Sequence, residues 1–335
     1  MIVAGDCALV TGAGGFIGSA IARALADRGV KVRAFLRPTG ARDNLDARFE
    51  PFFGDVTCAA DVRAAMDGVR FVFHAAADYR LWCPDPAALI RVNVEGARIV
   101  MQEASHAGVE RIVHTSSAAT IAPGPAPSDE TRRLPLEQAF GAYKHSKVLA
   151  ERLVEEMAVR EKLPAVIVNP TAPLGPGDVR PTPTGRIILE AIHGRMPAFV
   201  DTGLDIAHVD DVAQGHLLAL ERGVVGERYL LGGDNVSLRD ILFETARSAG
   251  TRPPLMRLPR APLTPLAYAS EALARITGRE PLLTVEGLRL SAAAMYFDDG
   301  KARRDLGYVS RPYAEAIHDA IVWFRSRSAI ATISG

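Results

Sequence analysis

The chain has 335 residues, 48% of them hydrophobic, and its 39 lysines and arginines are balanced by 39 aspartates and glutamates. That length supports one large or two moderate domains with a sizeable core, while the balanced charge leaves no electrostatic footprint for nucleic acid or an anionic membrane. No apolar run approaches the roughly 20 residues of a membrane span, no basic leader precedes the first strand pattern, and Cys7, Cys58 and Cys83 lack CxxC spacing, as expected of reduced thiols in a cytoplasmic protein.

In chain order, CALVTG (7–12) reads as an apolar strand, and FIGSAIARALADRG (16–29) follows it with helical periodicity. KVRAFLR (31–37) is a second strand, stopped by Pro38, and FEPFFGDV (49–56) a third. RFVFHAA (70–76), a long helix over 87–108, RIVHTSS (111–117) and AVIVNPT (165–171) continue the alternation. The strands are continuous apolar runs, as a parallel sheet buried on both faces requires. Strand–helix alternation implies right-handed βαβ units and an α/β fold, a Rossmann-type doubly wound parallel sheet.

PLGPGDVRPTPTG (173–185) breaks the pattern and reads as a loop. Shorter mixed elements follow, including DIAHV (205–209) and ERYLLGG (227–233). APLTPLAYASEALARI (261–276) is expected to pack internally as an amphipathic helix, contact with a lipid-like ligand being the other reading. The division predicted is a dinucleotide-binding domain over 1–175 and a smaller mixed α/β substrate portion over 176–330, parts of which return to the first domain.

TGAGGFIG (11–18) lies between the first strand and the first helix. There Gly12 allows a tight turn, Gly15 lets the backbone approach a pyrophosphate, and Gly18 lets the helix pack on the sheet. The amides of Phe16, Ile17 and Gly18 are then free to meet phosphate oxygens at the positive end of the helix dipole. Asp55, with Val56 beside it at the end of the third strand, either accepts from an adenine amino group or caps the following helix.

YKHSK (143–147) sets Tyr143 and Lys147 four residues apart, on one helix face. A neighbouring ammonium favours the phenolate of a tyrosine whose free pKa is about 10, making the pair a general acid/base for carbinol–ketone interconversion. Ser117, in HTSSA (114–118) at the end of the fifth strand, is placed to hold the reacting oxygen. Alone, Tyr-x-x-x-Lys is common by chance and better describes a solvated helix face. With the phosphate loop and the serine strand in this order it reads as catalytic.

Together, TGAGGFIG, HTSSA and YKHSK resemble the extended short-chain dehydrogenase/reductases, the NAD-dependent epimerase/dehydratase type that includes dihydroflavonol reductases and nucleotide-sugar epimerases. HAAADYRLW (74–82), NPTAPLGPGDVRPTPTGRII (169–188) and DTGLDIAHVDDVAQGHLLALERG (201–223) are similar, more narrowly, to the hopanoid-associated sugar epimerases. The resemblance covers nearly the whole chain and implies a sheet of about seven strands. It also implies that a nicotinamide exchanges hydride with a substrate carbon while Tyr143 passes the proton, Lys147 lowers the tyrosine's pKa and grips the nicotinamide ribose, and Ser117 orients the oxygen. Ala75, Ala76 and Ala77 would line the cofactor, as would Pro170 and Ala172 of the NPTAP turn, and Asn93 would support the site from behind. A homodimer through a four-helix interface that includes the Tyr143 helix is the family habit.

Net reduction and epimerisation use the same three residues, so the choice rests elsewhere. Epimerases of this type carry an acid at the end of the second strand for the ribose diol of NAD. Here Arg37 stands there, suited to a 2′-phosphate or to stacking on adenine, with Arg33 and Arg42 as candidate assistants. Leu204 occupies the place of a diphosphate-clamping arginine, and 262–281 is largely apolar. The expectation is therefore an NADP(H)-dependent oxidoreductase, NAD(H) being the other cofactor, acting on a small, hydrophobic, sugar-like or isoprenoid-derived molecule. An NAD-dependent sugar epimerase and a non-catalytic NAD(P)-sensing regulator are the alternatives, the latter opposed by the intact Ser117, Tyr143 and Lys147. Tyr79, Arg80, Trp82 and Arg186 are candidate substrate contacts, a surface or packing role being the other reading. Asp210 and Asp211 are expected to cap a helix beside His208 rather than bind metal, and no zinc-ligand spacing is present.

Overall fold

The computed structural model describes residues 1–278, 281 and 283–333. Its first half runs β1 (Cys7–Thr11), α1 (Phe16–Asp27), β2 (Lys31–Leu36), β3 (Phe49–Phe53), α2 (Ala59–Ala65), β4 (Phe71–His74), α3 (Pro86–His106), β5 (Arg111–Thr115), α4 (Ala142–Arg160) and β6 (Ala165–Pro170). Then come β7 (Ala172–Leu174), α5 (Pro183–Ile192), β8 (Ala198–Phe199), β9 (Gly203–His208), α6 (Val209–Arg222), β10 (Arg228–Leu231), β11 (Asp234–Ser237), α7 (Leu238–Ala249) and β12 (Met256–Arg257). The chain ends with α8 (Leu263–Thr277), α9 (Val285–Leu290), α10 (Gly300–Leu306) and α11 (Tyr313–Ile333). Among the described residues no helix is long and apolar enough to cross a membrane.

The main sheet has seven strands in the order β10-β6-β5-β4-β1-β2-β3, and every neighbouring pair is parallel. Six strands come from the first half and the seventh, β10, returns from the second. Val32, Ala34, Leu36, Val10 and Phe73 pack with α1 and α6 on one face. Leu9, Val72 and Ile112 pack with α2, α3 and α4 on the other, so both faces are covered, as continuous apolar strands demand. The order reverses between β1 and β4, the switch point where such sheets bind ligands beyond their carboxyl ends. A second sheet, β11-β9-β7, packs with α5, α7 and α11.

Each of the first six strands stops one to three residues short of its expected C-terminal end. The trimmed residues turn out of the ladder into loops on the switch-point edge, and they include Gly12, Arg37, Asp55, Ala75, Ala76, Ser116 and Ser117.

Two expectations need correcting. The 261–276 helix does not pack internally: α8 buries only Ala267 and Ala274, while Leu266, Tyr268, Leu273 and Ile276 are exposed. Its main neighbour is α9, a helix of six residues that leaves those side chains uncovered; Arg279 and Glu280 of the 262–281 stretch lie outside the described residues. The aspartates beside His208 are not the cap of α6. His208 is, its Nδ1 accepting from the Asp210 amide at 3.1 Å, while Asp211 forms a forked pair with Arg311 at 2.7–3.1 Å.

A buried carboxylate locks the edge of the sheet. Glu151, 3% exposed on α4, accepts at Oε2 from Ser116 (2.6 Å), Thr120 (3.0 Å) and Asn169 (2.6 Å), and at Oε1 from Arg228 (2.8 Å). It thereby joins α4 to the ends of β5, β6 and β10. Glu151→Ala strips the acceptor from Ser116, Thr120 and Asn169 and leaves the buried Arg228 with Glu155, at 3.3 Å, as its remaining carboxylate, so an unfolding free energy lower by about 3 kcal/mol is expected in urea titrations. Adding Arg228→Met should recover part of it; an unchanged midpoint in Glu151→Ala would contradict the network's role.

Candidate active site

The glycine turn is shaped by steric necessity. Gly12 has φ +72°, and a Cβ there would lie 2.8 Å from the backbone of Ala76. A Cβ on Gly18 would meet the Gly12 carbonyl at 2.2 Å, and one on Gly15 the same oxygen at 3.1 Å. Gly15 is the N-cap of α1 and brings no side-chain acceptor, so the first amides of the helix, those of Phe16, Ile17 and Gly18, have no intrahelical partner. Two supports were not legible from the motif. Gly14 lies against Ala41, whose carbonyl would sit 2.5 Å from a Cβ, and Asn44 donates to the carbonyls of Gly177 (2.8 Å) and Gly14 (3.4 Å). A cradle that no larger residue fits, lined by free amides at a helix start, suits the pyrophosphate of a dinucleotide.

Arg37 leaves the end of β2 with its side chain exposed, near enough to Asp55 and Asp78 to lower both carboxyls. Arg33 is occupied elsewhere, on Glu50 and the carbonyls of Ala65 and Asp67, and Arg42 lies over the Phe53 ring at 4.8 Å. Asp55 accepts from the amide and hydroxyl of Thr57 at 2.8 and 2.7 Å, and α2 takes Cys58 as its N-cap, so the aspartate shapes a turn rather than capping the helix. Burial raises its carboxyl, but the Thr57 bonds and Arg37 outweigh that and leave it below the usual range. Val56 is buried against Gly96. Ala75, Ala76 and Ala77 follow β4 half-buried, the Ala76 amide donating to Thr11 Oγ1 at 3.2 Å; Pro170 ends β6 and Ala172 opens β7.

Ser117, Tyr143 and Lys147 meet on this edge. Ser117 starts a short helical turn just past β5, its Oγ accepting from the Ala119 amide at 3.1 Å and its carbonyl from Thr120 Oγ1 (2.8 Å) and Asn169 Nδ2 (3.1 Å). Tyr143 lies in the first turn of α4 and hydrogen-bonds with Ser117. Lys147, one turn on and 4% exposed, donates from Nζ to the Thr115 carbonyl at 2.8 Å. Burial lowers its ammonium to about 8, Glu151 opposing the shift. The direction expected for Tyr143 is not the one found. Burial pushes the phenol above its ordinary value and the Ser117 bond only partly offsets this, because Lys147 faces the Thr115 carbonyl.

Asn93 supports the site from behind, accepting from the Asp78 amide (2.7 Å) and donating to the Asp78 carbonyl (2.9 Å) and Ser146 Oγ (2.8 Å). The loop it holds carries the half-buried Tyr79 and Trp82, with Arg80 paired to Asp78. The Tyr79 hydroxyl donates to the Arg180 carbonyl at 2.8 Å, tying this loop to the proline-rich one. Arg186, half-buried on α5, borders that second loop. Leu204 is packed in the apolar cluster under the second sheet. Among the described residues no group of three or more His, Cys, Asp or Glu is placed to hold a metal ion.

Comparison with known proteins agrees with this fold. The model of the NAD dependent epimerase/dehydratase family matches residues 8–232. A Synechocystis protein provisionally named dihydroflavonol 4-reductase is 40% identical over 99% of this chain and 98% of its own. Sterol demethylase protein B of Methylococcus capsulatus is 38% identical over 96% of this chain and 99% of its own. The crystal structure of gox2253 superposes with a TM-score of 0.86 at 47% identity, covering 96% of this chain and 98% of that one. With its parallel sheet, glycine turn and Ser117–Tyr143–Lys147 edge, the chain belongs to the NAD dependent epimerase/dehydratase family, the extended short-chain dehydrogenase/reductases.

Proposed function

We propose that the protein interconverts a ketone and a secondary alcohol with NADP(H), on a hydrophobic, sugar-like or isoprenoid-derived substrate. The observation that carries this reading is the placing of Ser117, Tyr143 and Lys147 on the same sheet edge as the glycine turn. A nicotinamide bound there supplies or accepts the hydride. Ser117 Oγ holds the substrate oxygen, and the Tyr143 hydroxyl gives it a proton in reduction or takes one in oxidation. A phenol above its ordinary pKa is held as the proton donor, which suits the reductive direction. Lys147 keeps a positive charge below about pH 8, one helical turn from the phenolate that proton transfer leaves.

Arg37 supports NADP, since an exposed guanidinium at the end of β2 suits a 2′-phosphate. It stands where an epimerase that retains NAD would carry a ribose-binding acid. Leu204 in place of a diphosphate-binding cation, and relatives named as a reductase and a sterol-processing protein, support reduction of an apolar substrate. A cytoplasmic homodimer joined through α3 and α4 completes the reading; these helices pack along one another and leave Val159 exposed.

Tyr143→Phe removes the proton donor and keeps the ring. Its kcat for ketone reduction is expected to fall about 10²–10⁴-fold with cofactor affinity unchanged, and turnover equal to wild type would refute the assignment. In Arg37→Ala, NADPH affinity measured by calorimetric titration should weaken about 10- to 100-fold while NADH affinity stays level, the loss of one charge-assisted phosphate contact. Equal effects on the two cofactors, or tightly retained NAD in the purified protein, would overturn the NADP assignment.

A further inference from the structure

The apolar stripe of α8 is turned away from the protein. At 3.6 residues per turn, Leu266, Tyr268, Ala269, Ala272, Leu273 and Ile276 fall on one arc of about 160°, and apart from the Tyr268 hydroxyl at its edge no polar or charged side chain interrupts it. Leu266, Tyr268, Leu273 and Ile276 are 58%, 55%, 60% and 84% exposed. The opposite face, with Ala267 and Ala274, is the one that meets the protein. A surface helix ordinarily buries its apolar stripe and shows solvent its polar face. Here the order is reversed, and a continuous exposed apolar patch marks an interaction surface. The patch is joined to the catalytic helix: α8 packs on α9, whose Arg289 lies over the Phe140 ring at 5.2 Å, three residues before Tyr143.

Charge identifies the partner. The chain is neutral as a whole, yet 252–290 holds six arginines against three glutamates. Among the described residues of that stretch every exposed charged side chain is an arginine: Arg252, Arg257, Arg275 and Arg289. Of these, Arg257 meets an acid, Asp201, at 3.0 Å. The two described glutamates are turned inward. Glu271 accepts from the Val285 amide at 2.7 Å, and the Glu286 carboxyl fills the space that a Cβ on Gly141 would take. Arg275 stands seven residues after Tyr268, two helical turns on, so the two share one edge of the stripe. A cation and a phenol on that edge suit the headgroup level of a lipid bilayer, with the leucines and Ile276 in the acyl layer. Fifteen residues are too few to span a bilayer core of about 30 Å, so such a helix lies along the surface. A second copy fits poorly. A two-fold contact sets the same patch against itself, and this one would bring arginines together with no exposed acid of the stretch to answer them. A protein interface also carries about one hydrogen bond per 100–200 Å², which a stripe of alkyl groups cannot supply.

We propose that α8 docks the protein on an anionic lipid bilayer, its apolar stripe in the interfacial layer and Arg275 among the headgroups. The inference goes beyond the ketone–alcohol reading and stands without it, because docking is measured with no substrate present. Its test is flotation of the full chain with vesicles of phosphatidylcholine alone and of equal parts phosphatidylcholine and phosphatidylglycerol. The wild type should bind the mixed vesicles at least about tenfold more tightly than the neutral ones, as a few arginines near an anionic surface supply. The double variant Leu273→Glu, Ile276→Glu should lose at least about tenfold in binding to the mixed vesicles, and Arg275→Glu should narrow the preference for them. All three side chains are exposed, so an unchanged thermal midpoint and cofactor affinity show that the variants are folded. No flotation of the wild type, equal binding to both compositions, or flotation that the double variant leaves intact overturns the inference. So does a wild-type oligomer in lipid-free ultracentrifugation that the double variant dissolves, which assigns the stripe to a second copy. The ketone–alcohol reading falls by a different result, turnover that Tyr143→Phe leaves intact.

Discussion

Glu151 receives four donors, two from the strands β6 and β10 and two from the loop after β5, and the positions of the reactive groups follow from that arrangement. It lies one turn beyond Lys147 on α4, so the carboxylate that closes the sheet edge also sets how far the helix can slide along it. Through Thr120 and Asn169, both of which also donate to the Ser117 carbonyl, it fixes the loop that presents the serine. A buried charge pair contributes little net stability compared with apolar packing, yet it tolerates few alternative arrangements. Here its use is positional: Ser117 and Tyr143 sit on separate segments, and one network joins both.

The electrostatics of the site show a division of labour. Lys147 is held by the Thr115 carbonyl and desolvated, which brings its ammonium to about 8. Tyr143 carries the raised phenol of a half-buried tyrosine whose hydroxyl is shared with Ser117. Behind them, His74 and His114 stack at 5.3 Å and are kept neutral by burial, so the cationic side of the site is left to Lys147.

What was legible in the chain was what local chemistry dictates. The strands β1, β4, β5 and β6 could be read because they are buried on both faces and written as apolar runs, and the turn at 11–18 because Gly12 and Gly18 sit where any Cβ collides. Ser117, Tyr143 and Lys147 could be read because helical spacing and strand ends place them. The misses depend on contacts distant in sequence. Glu151 meets Arg228 77 positions away, and Asn44 meets Gly177 across 133. The contact of Glu286 with Gly141 at the start of α4 is likewise between positions distant in sequence. The exposed face of α8 was misread because apolar periodicity records that a face is hydrophobic and not what covers it. The raised phenol was not legible because spacing puts Lys147 on the right face without saying which oxygen it bonds.

The central claim is that one sheet edge builds both a dinucleotide cradle and an acid/base set aimed at its reactive end. A crystal structure with NADP⁺ bound measures this directly. The account predicts pyrophosphate oxygens on the amides of Phe16, Ile17 and Gly18, the 2′-phosphate against Arg37, and Lys147 Nζ on the nicotinamide ribose, with the nicotinamide beside Tyr143. A pyrophosphate seated away from the glycine turn, or a nicotinamide out of reach of Tyr143, would contradict it.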